Sequence, residues 1–154
     1  MDYGLFFTYL AACGAAAATG ALFSPGDWYK TIRKPDWTPP DWVFPVAWTT
    51  LYLCMSLAAM RIAQSGDLRA PQALGFWTIQ ITLNALWSPV FFGLRRMRVA
   101  LIVVVLLWVA VAVTLVAFVR IDWIAGLLFL PYIAWVSTAT ALNAAVLRRN
   151  PGMA

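Results

Sequence analysis

Charges in this chain fall in short clusters separated by long stretches that carry none, and that placement restricts the possible folds more than any other feature. In a bilayer a helix closes its own backbone hydrogen bonds, whereas a charge at mid-depth costs roughly 2.5–3.5 kcal/mol on insertion scales. Crossing about 30 Å of hydrocarbon takes roughly 20 helical residues. Five segments reach or approach that length without an internal charge: 5–23, 44–60, 71–93, 99–119 and 123–147. Pro25-Gly26 stops the first, Arg61 closes the second, Pro71 opens the third from its first turn, and Arg148-Arg149 with Pro151 ends the fifth. Charged residues make up only 11% of the chain and hydrophobic ones 63%, where a soluble domain carries about 25% charged. The expectation is an all-α, polytopic membrane protein, one domain over residues 1–154 folded as a five-transmembrane-helix bundle. The first segment reads as a retained span: Asp2 is the only charge before it, and its apolar run exceeds the roughly 7–15 residues of a signal peptide.

Several functional classes are excluded or disfavoured. The net charge of +5 does not point to nucleic acid, because the basic residues flank the apolar spans, where topology accounts for them. Lys30, Arg33, Lys34, Arg95, Arg96, Arg98, Arg148 and Arg149 fall on one side of the bundle, and Arg61, Arg69 and Arg120 on the other. That bias predicts a cytoplasmic C-terminus and an N-terminus outside. Histidine is absent, which removes the commonest metal ligand and general base, so no metal site is expected. Cys13 and Cys54 sit in apolar stretches and read as core thiols. With no ionisable residue inside any span, ion-coupled transport is disfavoured.

The first connection, residues 26–43, is long and carries Trp28, Tyr29, Trp37 and Trp42. Such residues form interfacial belts at the headgroup level. A belt needs no prolines, however, and Pro35, Pro39 and Pro40 stiffen this one. An ordered aromatic loop of this kind suits a lid over the mouth of a bundle. Within the third span Gln80 and Asn84 share a face that continues to Trp87 and Ser88. Gln80 reads as interhelical glue; Asn84 reads equally as glue or as a ligand contact. Trp48 and Tyr52 form an aromatic stripe on the second span, and Trp135, Ala139 and Asn143 a stripe on the fifth. Their rings should point inward, into either core or a pocket. The small Ala139 leaves room for a planar ligand or for a close helix crossing.

These residues carry a resemblance. Trp28-Tyr29, Lys34-Pro35, Trp37-Thr38-Pro39-Pro40, then Phe44, Trp48 and Tyr52 at four-residue spacing, Gln80, Asn84, Trp87-Ser88-Pro89 and Phe92, and finally Pro131-Tyr132, Trp135, Ala139 and Leu142-Asn143 run in order along the chain. The pattern resembles the translocator proteins, also called tryptophan-rich sensory proteins or peripheral-type benzodiazepine receptors, over essentially the whole length. The resemblance implies a membrane receptor, sensor or carrier for porphyrins such as protoporphyrin IX and for isoquinoline and benzodiazepine ligands. By position it implies a ligand site of Tyr29, Pro39, Trp48, Tyr52, Asn84, Trp87, Ser88, Trp135 and Ala139. It also implies a homodimer through the third helix, where Gly75, Thr78 and Thr82 offer a small-residue face. Animal members carry a sterol-recognition tyrosine near the end of the fifth helix. Here that stretch runs from Leu142 to Arg148 without one, which favours a bacterial, porphyrin-directed member in a cell membrane and weakens the case for sterol as a partner.

The expected guest is a metal-free porphyrin, bound as a ligand rather than as a resident cofactor, since no histidine is present to ligate haem. Its ring is expected between Trp48 and Trp135, with propionates on Lys30, Arg33 or Lys34. Two rival functions remain open: oxidative or light-driven porphyrin degradation with Trp48 and Trp135 as redox partners, and a stress-linked interaction role in which the pocket is incidental.

Overall fold

A computed structural model describes residues 2–153. Its helices are α1 (Tyr3–Leu22), α2 (Asp27–Thr31), α3 (Val43–Ala63), α4 (Ala70–Ser88), α5 (Met97–Val119), α6 (Trp123–Leu127) and α7 (Leu130–Arg149). Asp2 caps α1 by accepting the Leu5 N–H at 3.1 Å, and Asp122 caps α6 by accepting the N–H groups of Ile124 and Ala125. The long helices pack as a bundle in which α1 touches α3 and α4, α4 touches α5, and α5 touches α7. Four units, α1, α3, α5 and the α6–α7 pair, are long and apolar enough to cross a membrane. The fifth long helix, α4, is of similar length but is less apolar, because it carries Gln72, Thr78, Gln80, Thr82 and Asn84. The chain is thus an integral membrane helical bundle of five long units, with α4 carrying its polar side chains along the middle of the helix.

Two boundaries depart from expectation, both at prolines. The fifth span is interrupted: α6 ends at Leu127, Leu128 and Phe129 form a turn, and α7 begins with Pro131 in its first turn. Proline has no N–H to donate to the carbonyl four residues back and its ring crowds that carbonyl, so a continuous helix through Pro131 is disfavoured. The third span leaves α-geometry at Pro89, and Pro89–Gly93 forms a π-helical turn closed by the Leu94 N–H on Pro89 O at 2.9 Å. Arg61, expected to stop the second span, lies in the last turn of α3 and pairs with Asp122 at 2.7 Å.

Pro89 also determines how α1 packs. The carbonyl it leaves without a helical donor belongs to Ala85, and the Thr19 hydroxyl of α1 approaches it at 2.9 Å, its single proton shared with the Ala16 carbonyl at 2.7 Å. Lower in the bundle, Gly126 lies against Val119. A β-carbon there would collide with the Val119 side chain and come within 3.0 Å of its Cα, so only glycine allows α6 to fold back on α5. Cys13 is fully buried with its sulfur 3.5 Å from the Ser56 hydroxyl, whose proton goes to the Tyr52 carbonyl at 2.7 Å; both cysteines are free thiols.

Thr19→Val should strand the Ala85 carbonyl and destabilise the protein by about 1–3 kcal/mol. Pro89→Ala in the same chain should restore part of that loss by returning an N–H donor. Thermal unfolding of the single and double variants in detergent measures both effects.

Candidate functional site

A cavity of about 690 Å³ opens beneath the first loop, between α1, α3, α4, α5 and α7. Tyr29, Pro39, Trp48, Tyr52, Asn84, Trp87, Ser88, Trp135 and Ala139 all line it, so one space brings together all nine residues of the expected ligand site. They come from four separate segments: the loop supplies Tyr29 and Pro39, α3 the Trp48–Tyr52 stripe, α4 Asn84 to Ser88, and α7 Trp135 and Ala139.

The walls are aromatic. Trp48 stacks on Tyr52 with centroids 5.4 Å apart and planes at 28°. It meets Trp135 edge to face at 6.4 Å and 84°, and Phe44 covers Trp135 at 5.6 Å. A second cluster is built on Trp87, stacked on Phe91 at 5.0 Å and 18°, with Phe92 edge-on at 5.7 Å. Tyr29 caps this cluster, 5.4 Å from Phe92. The expected slot between Trp48 and Trp135 therefore does not exist. Two rings meeting edge to face at that separation are in contact with each other, so together they form one wall. A planar guest has room only beside that wall, towards the Trp87 cluster.

Polar contacts fix the rings. The Trp87 indole N–H donates to Asn143 Oδ1 at 3.2 Å, and Asn143 Nδ2 donates to the Met97 carbonyl at 3.2 Å, joining α4, α7 and α5. At the floor the Tyr52 hydroxyl donates to Asn84 Oδ1 at 3.0 Å. Asn84 Nδ2 donates to the Tyr132 hydroxyl at 3.0 Å, which in turn donates to Gln80 Oε1 at 2.9 Å. Asn84 thus serves both roles left open for it: it ties helices together and it faces the cavity. Gln80 lies wholly in the core, as interhelical glue should. Ser88 lines the cavity, and its hydroxyl makes no hydrogen bond among the described residues.

The mouth carries charge. Lys30 and Lys34 line it with Asp41. Lys30 pairs with Asp27 at 3.2 Å, fully in solvent, whereas the Lys34 ammonium sits 4.2 Å above the Tyr29 ring and donates to the Tyr29 carbonyl at 3.1 Å. Burial, reinforced by the Asp41 carboxylate, holds the Tyr29 phenol above its ordinary pKa, so it stays neutral under that cation. Arg33 does not line the cavity. Its backbone is clamped instead: its N–H donates to Asn150 Oδ1 at 3.0 Å and its carbonyl accepts from Asn150 Nδ2 at 2.9 Å. The loop is divided in function. Ile32 and Pro35 are buried and Trp28 packs on Phe91, while Trp37 and Trp42 are 51% and 68% exposed, as belt residues would be.

Sequence reasoning missed the wall from α1, where Ala16, Ala17, Gly20 and Ala21 line the space. Their recurrence at three- and four-residue spacing was the available signal for a face without bulk. Phe91, Asp41 and Asn143 also line the cavity beyond the expected set. Among the described residues no cluster of three histidine, cysteine, aspartate or glutamate side chains offers a metal site.

Asn150→Ala should free the loop while leaving the helical walls of the cavity in place. Losing the clamp should speed amide exchange at Arg33 and its neighbours about 5- to 100-fold, as expected for about 1–3 kcal/mol of lost local stability. Hydrogen–deuterium exchange of residues 27–35 measures it.

Comparison with known proteins accords with this geometry. The chain is 54% identical to a tryptophan-rich sensory protein of Cereibacter sphaeroides over 97% of its own length and 94% of that protein. It is 51% identical to Protein CrtK of Rhodobacter capsulatus, covering 99% and 96% of the two chains. It is 38% identical to the human translocator protein, covering 86% and 82%. The TspO/MBR family pattern matches residues 7–149, and the chain belongs to that family.

Proposed function

We propose that this protein is a membrane receptor or sensor that takes a porphyrin, protoporphyrin IX first among candidates, into the cavity beneath its first loop. One observation carries the proposal: an aromatic cavity of about 690 Å³ with two lysines at its mouth and an amide–phenol pair at its floor. Its volume falls in the range of roughly 300–1,000 Å³ typical of small-molecule sites. A flat macrocycle lies in the space flanked by the Trp48–Trp135 wall and the Trp87–Phe91–Phe92 cluster. Its propionates reach Lys30 and Lys34, as charge-assisted pairs do best where desolvation is partial. Isoquinoline and benzodiazepine ligands fit the same walls without using the lysines. The words "sensory" and "translocator" in the relatives' names suit a protein whose task begins with capturing such a ligand.

The same reading extends to setting. The eight cations of the loop, the α4–α5 connection and the C-terminus share one end of the bundle, since Asn150 clamps Arg33 and Arg95 lies 5.8 Å over the Trp28 ring. By the positive-inside rule that end is cytoplasmic and the N-terminus outside, in a bacterial cell membrane. A second copy packs against the α4 face where Thr78 and Thr82 are exposed and the Gly75 position opens on nothing within 4 Å.

Oxidative degradation of the porphyrin is a second reading. It is favoured by the ring contacts that run from Trp48 to Trp135 at 6.4 Å and to Tyr132 at 6.3 Å, an aromatic path leading from the cavity into the core.

Titrating purified protein with protoporphyrin IX, followed by porphyrin absorption and tryptophan quenching, should give saturable binding. Trp87→Ala and Trp48→Ala should each weaken it roughly tenfold. Lys34→Gln should weaken it less and should flatten its dependence on salt. Binding that does not saturate, or that ignores both tryptophan variants, would sink the proposal in favour of an interaction role. Loss of the porphyrin band with turnover in light but not in darkness, abolished by Trp48→Ala, would favour the enzyme.

A further inference from the structure

The floor of the cavity holds an unpaired group. Hydrogen bonds run in one direction from Tyr52 through Asn84 and Tyr132 to Gln80 Oε1. Gln80 is 0% exposed, and its Nε2 is a buried side-chain atom that donates to nothing among the described residues. A buried amide N–H without an acceptor costs about 1–3 kcal/mol and is rarer in folded proteins than an under-used carbonyl.

The same heavy atoms support the opposite direction. If both amides turn by half a revolution, Gln80 Nε2 donates to the Tyr132 oxygen, the Tyr132 hydroxyl to Asn84 Oδ1, and Asn84 Nδ2 to the Tyr52 oxygen. The number of internal hydrogen bonds is unchanged: Gln80 Nε2 gains a partner and Gln80 Oε1, the less costly of the two to leave unpaired, gives one up. What changes is the cavity. In the observed direction the Tyr52 proton is spent on Asn84, and its oxygen can accept from a guest. In the reversed direction the Tyr52 hydroxyl is free to donate to one. Each direction leaves something wanting: Gln80 Nε2 in the first, and in the second the Tyr52 proton together with Gln80 Oε1, which has given up its donor. The guest therefore decides between them.

We infer that the Tyr52–Asn84–Tyr132–Gln80 chain is a reversible hydrogen-bond relay that lets the cavity floor bind planar ligands bearing either an acceptor or a donor, with Gln80 as the positioning residue that makes both directions available. The inference rests on the cavity being a ligand site, as proposed above. Gln80 contributes an acceptor for Tyr132 in one state and a donor in the other, and no single-function side chain of that shape does both. Replacing it by methionine leaves the Tyr132 hydroxyl only Asn84 to donate to, which fixes the floor as a donor.

Three planar probes of nearly equal shape separate the states: fluorene with no polar group, fluorenone with a carbonyl acceptor, and carbazole with an N–H donor. Their affinities are measured by competition with protoporphyrin IX. In the unaltered protein fluorenone and carbazole should each bind about 3- to 10-fold tighter than fluorene. Gln80→Met should keep the fluorenone advantage and lose that of carbazole. Tyr52→Phe should lose both, and with it the lowered carbonyl stretching frequency of bound fluorenone in the infrared. A purely structural Gln80 would shift all three affinities together, and that result overturns the relay. If fluorene binds and polarity makes no difference, the relay fails while the cavity stands as a ligand site. If protoporphyrin IX binds and none of the three displaces it, the relay fails alone; if protoporphyrin IX itself does not bind saturably, the cavity reading fails with it.

Discussion

Inside a bilayer a polar side chain has no water to turn to, and α4 places two amides, Gln80 and Asn84, where they must be paired within the protein. That requirement organises the bundle. Tyr52 comes from α3 and Tyr132 from α7, so satisfying two residues of one helix draws three helices to a common point. The network is buried on its Gln80 side and opens to the cavity on its Tyr52 side. It is therefore both the deepest fastening of the fold and the floor of the site. The comparatively polar composition of α4 is the cost of that double duty.

Much of this was legible beforehand, because bilayer physics writes itself into sequence plainly. Uncharged stretches of helical length marked the long units. Four-residue spacing put Trp48 with Tyr52 and Trp135 with Ala139, and the nine residues expected to form the ligand site line one cavity, with Arg33 of the expected basic rim outside it. Within the loop, Trp37 and Trp42 face outward while Trp28 and Tyr29 pack down. What remained hidden depended on distances between helices. Spacing along α3 and α7 predicts which way Trp48 and Trp135 point but not how far apart the helices stand. The two rings proved close enough to touch, which closed the slot imagined between them. The same limit concealed α1, whose alanines and glycine announce themselves only by the bulk they lack.

Prolines had a second effect that a local reading understates. Each removes a donor, and the carbonyl so released becomes available to another helix. Ala85 O, vacated by Pro89, is where Thr19 attaches α1 to α4. What looks like damage to one helix is thus a socket for its neighbour, and it lies one turn from Trp87 and Ser88 on the cavity wall.

The two ends of the bundle differ in kind. Opposite the loop, Arg61 is paired with Asp122, Arg69 is paired with Asp67, and Arg69 also donates to the Arg120 carbonyl. Between that end and the floor, Met55, Trp77, Phe118 and Phe129 are at most 3% exposed. The cavity is consequently a blind cup rather than a tunnel. Its depth is therefore set by the side chains packed below Tyr52 and Asn84, and its opening by the loop above.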